Sequence, residues 1–216
     1  AGAMHRLTRR QLVLADAAVR SVDRQGGQWS VSGPLVHLVV LPDGDHPDPC
    51  PDAVLASGEE VASQMDDRQV AVVFAPASVL TDALPDGMAL TVRDGILRSG
   101  RVRAIVRLPQ GLVPARPREH AALWLLGAGD GRPLADRRTS VADLAHTTLT
   151  PAVMQGLVDD LLAASQGAEG ARRRAWAHLV HVPTAELVSR SESLVQARRR
   201  PGVGVERSGV DWAVAL

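Results

Sequence analysis

The link between two apolar runs, 102–108 and 121–126, restricts the fold more than any other feature of the chain. It runs from Pro109 to His120, holds three prolines and shows no helical period. Proline fixes φ and lacks an amide donor, so this link is not a helix. Parallel strands need a crossover of about a dozen residues or more, usually helical. The two runs are therefore expected to pair antiparallel. Within the first, Val102, Ala104, Val106 and Leu108 fall on one face, and Arg101, Arg103, Ile105 and Arg107 on the other. That alternation predicts one buried face and one that is mostly wet or meets a partner.

Residues 35–41 and 70–75 are nearly unbroken, β-branched apolar runs, the pattern of buried strands. The proline-rich tract 42–51 is a loop at the end of the first. Asp52 can cap a helix running to about Met65. Pro85-Asp86-Gly87 turns into an amphipathic segment, 88–97, that stops at Ser99-Gly100. Further on, 152–164 has helical spacing, with Thr150 as its cap and Pro151 at the first helical position. Residues 171–178 could continue a helix, and 185–188 form a short one capped by Thr184. Residues 11–22 read as a strand entering a turn, and Trp212 lies in an Arg-, Gly- and Val-rich tail.

A chain of 216 residues with 45% apolar content suffices for one packed domain and a small appendage. All 24 basic residues are arginine, and Lys, Asn and Tyr are absent. That composition is expected of a GC-rich genome such as an actinobacterium's, and it weakens any single arginine as a sign of phosphate binding. Net charge is zero, so no global field draws the chain to nucleic acid or an acidic membrane. Cys50 stands alone, which excludes internal disulfides and Cys-based zinc sites and fits a reducing cytoplasm. No run approaches the roughly 18–20 apolar residues of a membrane span. The start, Ala1-Gly2-Ala3-Met4, reads as a cloning remnant rather than a signal peptide.

From Gln69 to Gly129 the chain reads QVAVVFAPASVL, GILRSG, RVRAIVRLPQGL and HAALWLLGAG. This succession resembles the second half of the catalytic domain of N6-adenine DNA methylases of the type I restriction-modification M-subunit kind. There a strand of the form RVAVVLPDGVL precedes LEAVIxLPxGLF and a last strand xxxLWVLR. The later stretch VPTAELVSRSESLVQARR resembles the segment that follows that core. The resemblance covers roughly residues 35–200 and is most specific at 69–126. It implies an α/β fold: a partial Rossmann-like methyltransferase sheet with an antiparallel last strand, followed by a mainly helical C-terminal segment. The expected division is a partial methyltransferase-like domain at 5–132 and a helical extension and tail at 133–216.

N6-adenine methylation needs a glycine-rich loop that holds S-adenosylmethionine. It also needs an Asn/Asp-Pro-Pro-Phe/Tyr motif whose amide and ring grip the flipped base. At the expected place for the motif stand Leu41, Pro42, Asp43 and Gly44. Leu41 has no acceptor in its side chain and Gly44 no ring, so the motif is read as degenerate; Asp48-Pro49-Cys50-Pro51 again lacks the aromatic. A surface loop unrelated to any methylase is the alternative. Too few residues precede Leu35 for three strands and the cofactor loop, so that front half is expected outside this chain or lost. S-adenosylmethionine is therefore a cofactor by resemblance only.

Other constellations are weaker. Leu126-Gly127-Ala128-Gly129-Asp130-Gly131 follows a strand, but a phosphate cradle needs a helix next, and Arg132-Pro133 follow. An exit loop is the ordinary reading. Gly202-Val203-Gly204 is weaker still. His178 and His181 make no metal site without a third ligand. His37 reads as a satisfied core histidine. His46 with Asp43, Asp45 and Asp48 could bind a cation, with a solvated turn as the ordinary reading. Ser78 lacks a nucleophile elbow. Arg101, Arg103 and Arg107 stripe a strand, and the resemblance sets Arg116 and Arg118 near the substrate side. These five are the candidate DNA contacts, beside the triplets Arg172-Arg173-Arg174 and Arg198-Arg199-Arg200; solvated charge is the alternative.

The reading that results is a DNA-adenine methylase-like domain, not catalytic alone. Its expected partners are DNA or other protein subunits, not a membrane. An active transferase with an atypical site on Asp43, Asp48 or the Gly127 loop, and a plain protein-interaction module, remain as alternatives.

Overall fold

The computed structural model describes residues 33–42, 50–114, 116–167, 175–188, 190 and 192–196. The predicted strand at 11–22, the helix at 171–174, the arginine triplets, the acidic loop 43–48 and Trp212 lie outside these residues. Six strands form one sheet in the order β1-β2-β4-β3-β5-β6. They are β1 (Leu35–Val40), β2 (Gln69–Pro76), β3 (Val102–Gln110), β4 (His120–Leu126), β5 (Arg138–Asp143) and β6 (Val180–Pro183). β1 pairs parallel with β2, and β3 with β5; β4 is antiparallel to both β2 and β3, and β6 to β5. So β1, β2, β3 and β5 run one way, and the short proline-bearing link does return β4 antiparallel beside β3.

Helices cover both faces. On one lie α1 (Pro51–Gln64), α2 (Ala77–Leu80) and α3 (Met88–Arg98), with the short α5 (Thr184–Leu187). Their apolar residues meet Ala71, Val73, Ile105 and Trp124 in the larger core. On the other lies α4 (Pro151–Ser165), whose Leu157 and Ala164 pack on Ala104, Val106 and Leu125. Alternation along β2 and β4 sends successive side chains to these two layers.

Helix boundaries follow local chemistry. Thr150 caps α4 as expected, its hydroxyl accepting from Val153 N at 3.3 Å, with Pro151 in the first turn. Gly100 ends α3 at φ +74°, a left-handed conformation that glycine adopts without Cβ strain. Asp52 is not the cap of α1. Pro51 starts that helix after Cys50, and Asp52 lies in its first turn, where a carboxylate favours the positive end of the dipole. Thr184 is not a cap either; its hydroxyl lies 2.9 Å from that of Thr139, joining β5 to α5 inside the core.

Three further expectations are corrected. β1 is half-buried on one face and open on the other, where Val36, Leu38 and Val40 are exposed. The alternation along β3 is broken by a bulge, where Val102 pairs with Leu126 but Ala104 with Leu125. The extra residue turns Val102 toward Ile105 in the larger core, while Ala104 and Val106 pack against α4, so both faces of β3 are buried. Finally, the sheet crosses position 132: β5 and β6 belong to it, and 177–178 are not helical. The segment after residue 132 is thus of mixed structure among the described residues.

Candidate functional site at the carboxyl edge of the sheet

In open α/β sheets ligands bind outside the carboxyl ends of the parallel strands. Here that edge gathers the end of β1 at Leu41-Pro42, the turn after α2, and the loops that follow β3 and β5. Leu41 N donates to the Phe74 carbonyl at 2.8 Å, prolonging the β1–β2 ladder, and the Leu41–Pro42 peptide is cis. Asp43 and Gly44 lie outside the described residues. Phe74, the sole phenylalanine, lies in β2 in register with Val40 and packs, half-buried, beside the α4 core.

Arg107, near the end of β3, is paired: its Nε lies 2.9 Å from Asp82 Oδ1. Beyond it, Gly111 at φ +84° turns the chain away. A shallow cleft of about 440 Å³ opens between Pro109, Gln110 and Leu112 on one side and Ala145 to Leu149 on the other. His146, Thr147 and Thr148 line it. The His146 ring stands edge-on to His120, centroids 6.4 Å apart, and His120 Nδ1 is 3.1 Å from the Leu108 carbonyl. Asp143 Oδ1 accepts from Ala145 N at 3.0 Å and fixes the start of the second wall. The lining offers an amide, an imidazole and two hydroxyls. It can hydrogen-bond a polar group, and it supplies no carboxylate. Sequence reading missed the His146–Thr148 wall because β5 was not read as a strand.

The arginines proposed as DNA contacts are not brought together. Arg101 and Arg103 turn toward the loop after β4, at the opposite edge from Arg107. Arg101 pairs with Asp67 at 3.4 Å and donates to the Gly127 carbonyl. Arg103 pairs with Asp130 at 3.7 Å and donates to the Ala128 carbonyl. Burial lowers the Arg103 pKa, Asp130 opposes that shift, and Arg132, Arg101 and Arg137 reinforce it. Arg116 pairs with Glu119 at 3.3 Å, and Arg118 is exposed in the loop before β4.

The Gly127 loop is built as an ionic joint. Gly127 N donates to Arg101 O at 2.9 Å, Gly129 N to Asp67 Oδ1 at 3.2 Å and Asp130 N to Gly100 O at 3.0 Å. An anion cradle needs such N–H groups aimed at the ligand; here protein acceptors already hold them. The Asp130 carboxylate takes Nε and Nη2 of Arg132, and this pairing holds its pKa down at about 2. The loop also lies at the amino edge of the parallel strands. It does not fit the phosphate-like or cofactor role considered for it, and among the described residues no glycine-rich loop at the carboxyl edge fits S-adenosylmethionine.

His37 and His181 make structural contacts. His37 Nε2 lies 3.0 Å from Gln69 Oε1. His181 sits on β6 rather than on a helix, Nδ1 3.0 Å from Ser140 Oγ and its ring edge-on to Trp176 at 4.5 Å. Burial, and then Arg138, lower its pKa. No cluster of three metal-ligating side chains occurs among the described residues, and none of their helices is long and apolar enough to cross a membrane. Ser78 is exposed on α2.

No protein-family model and no curated protein sequence matches the chain. Solved structures do match its fold. The type I restriction-modification system methyltransferase subunit from Streptococcus thermophilus aligns with a TM-score of 0.56 at 13% identity, covering 88% of this chain and 44% of that one. A type I R-M system structure aligns at 0.48 and 15% identity, over 71% of this chain and 33% of that one. The EcoKI M protein aligns at 0.38 and 19% identity, over 56% and 29%. The likeness to the Streptococcus thermophilus subunit shows a methyltransferase-like α/β fold. The chain spans less than half the length of each of these solved chains.

Proposed function

We propose that this chain is a DNA-adenine methylase-like domain that does not transfer methyl groups by itself and contributes DNA or subunit contacts in a restriction-modification-type system. One observation carries the reading. The sheet has the methylase-like arrangement, with an antiparallel strand set between β2 and β3, yet the mouth of β1 presents Leu41-Pro42. A flipped adenine needs acceptors for its amino group and a stacking ring. The Leu41 side chain supplies neither, and the chain has no Asn or Tyr anywhere.

Within this reading the carboxyl edge meets the partner. Arg118, exposed in the link before β4, and Arg116 beside it are the candidate phosphate contacts. The pairs Arg101–Asp67, Arg103–Asp130 and Arg107–Asp82 favour a structural role for the other three arginines. Isothermal calorimetry with S-adenosylmethionine tests the catalytic half of the proposal: no heat of binding is expected, and micromolar affinity overturns it. Titration of labelled duplex DNA tests the other half, with salt-sensitive binding expected.

A further inference from the structure

The cleft at the carboxyl edge lies between the loops that follow two neighbouring parallel strands, β3 and β5. Both strands stand across β2 and β4 from β1, so the cleft is separate from the Leu41-Pro42 mouth. Its second wall is a fixed turn. Leu144 N donates to the Arg107 carbonyl at 2.8 Å, Thr147 N to the Leu144 carbonyl at 2.9 Å and Thr150 N to the Thr148 carbonyl at 2.9 Å.

The lining has one kind of chemistry. Its polar side chains are Gln110, His146, Thr147 and Thr148. An amide, an imidazole N–H and two hydroxyls can each donate, and none carries a negative charge. Gln110, His146 and Thr148 are exposed, so they are open to a ligand. Asp143, at the foot of the wall, already accepts from Ala145 N. A cation stands beside the cleft. The His146 ring meets that of His120 edge-on, and Arg118 precedes His120 by two residues, a Cα separation of at most ~7 Å. Arg118 is exposed, and its neighbour Glu119 is taken by Arg116. Phosphate oxygens only accept, and they are met by such side-chain amides and hydroxyls together with arginine. Pro109, Leu112 and Leu149 give the apolar rim on which a sugar packs.

We propose that this cleft holds one phosphate group of a DNA strand. Gln110, His146, Thr147 and Thr148 donate to its oxygens, and Arg118 supplies the opposite charge from the link. The DNA source rests on the DNA-contact role proposed above. The neutral donors then add affinity that salt does not remove, and Arg118 adds the salt-dependent share.

Two probes test this on the full chain. Deoxyadenosine 5′-monophosphate and deoxyadenosine are titrated separately while the histidine ring signals are followed by NMR. The monophosphate is expected to shift the His120 and His146 signals, and the nucleoside to leave them in place. Labelled duplex DNA is then titrated over a range of salt concentrations. Thr148→Val combined with Gln110→Leu should weaken duplex binding about tenfold and leave the salt slope unchanged, because neutral donors displace no counterions. His146→Ala repeats the measurement should the double variant fail to fold. Equal shifts with the nucleoside, or no shift with the monophosphate, overturn the proposal. Duplex binding that ignores these substitutions overturns it alone and leaves the DNA-contact role standing. A monophosphate shift without any duplex binding overturns both and assigns the cleft to a free nucleotide.

Discussion

The guanidinium of Arg93, fully buried in α3, donates at 2.7 Å to the carbonyl of Arg190, 97 residues away. Its other arm donates at 2.8 Å to the carbonyl of Asp82. Burial lowers its pKa to about 10, against the opposing pull of Asp94 and Asp82. The segment after β6 is thereby tied under α3, where Leu187, Leu194 and Val195 join the larger core. Arg93→Ala leaves two carbonyls without their donors and is expected to cost about 3 kcal/mol or more. Arg93→Lys should recover little, since an ammonium does not reproduce the planar fork. Urea unfolding of the two variants checks both statements.

Gly100 makes a second stability prediction. A Cβ there would lie 2.8 Å from Arg137 Nη1 and 2.9 Å from the Asp130 carbonyl, at φ +74°. Gly100→Ala is expected to destabilise by about 1–3 kcal/mol, from the left-handed conformation and the displaced contacts together. Thermal unfolding measures it.

Asp130 links stability to pH. Its carboxyl, held by Arg132, titrates near 2 in the folded chain against 3.8 for a free side chain. The unfolded chain therefore binds more protons between these values. The contribution is complete above about pH 5 and is lost as pH falls toward 2, amounting to about 1–2 kcal/mol. Asp130→Asn should flatten that part of the pH–stability curve, as read from urea midpoints at successive pH values.

The arginines divide into two groups by expected response. Replacing Arg118 by Ala should leave stability unchanged, weaken duplex binding evenly across sequences and reduce the salt slope by about one. Arg103→Ala should instead lower the unfolding midpoint, because Asp130 loses one of its two arginine partners and the Ala128 carbonyl loses its donor. Equal effects of both on DNA affinity, with no change in stability, would contradict the division.

Much of the sheet was legible in sequence because its signals are local. Three prolines between Pro109 and His120 settled the β3–β4 pairing, and Thr150-Pro151 settled the start of α4. β5 was illegible because Arg138-Thr139-Ser140 looks polar. Its hydroxyls are buried only because Thr184 and His181, about forty residues on, accept or donate to them. The bulge in β3 was equally hidden: strict alternation puts Arg101, Arg103 and Arg107 on one face, and only pairing with β4 reveals the extra residue. The cleft wall at His146–Thr148 went unseen with β5. By contrast, the identity of Leu41 and Pro42 at the end of β1 needed no structure, since it is read directly from the sequence.

Transfer of a labelled methyl group from S-adenosylmethionine to adenine in duplex DNA, by the purified chain alone, tests the central claim most directly. The account predicts no incorporation above a protein-free control. Incorporation at adenine that rises with protein concentration would contradict it.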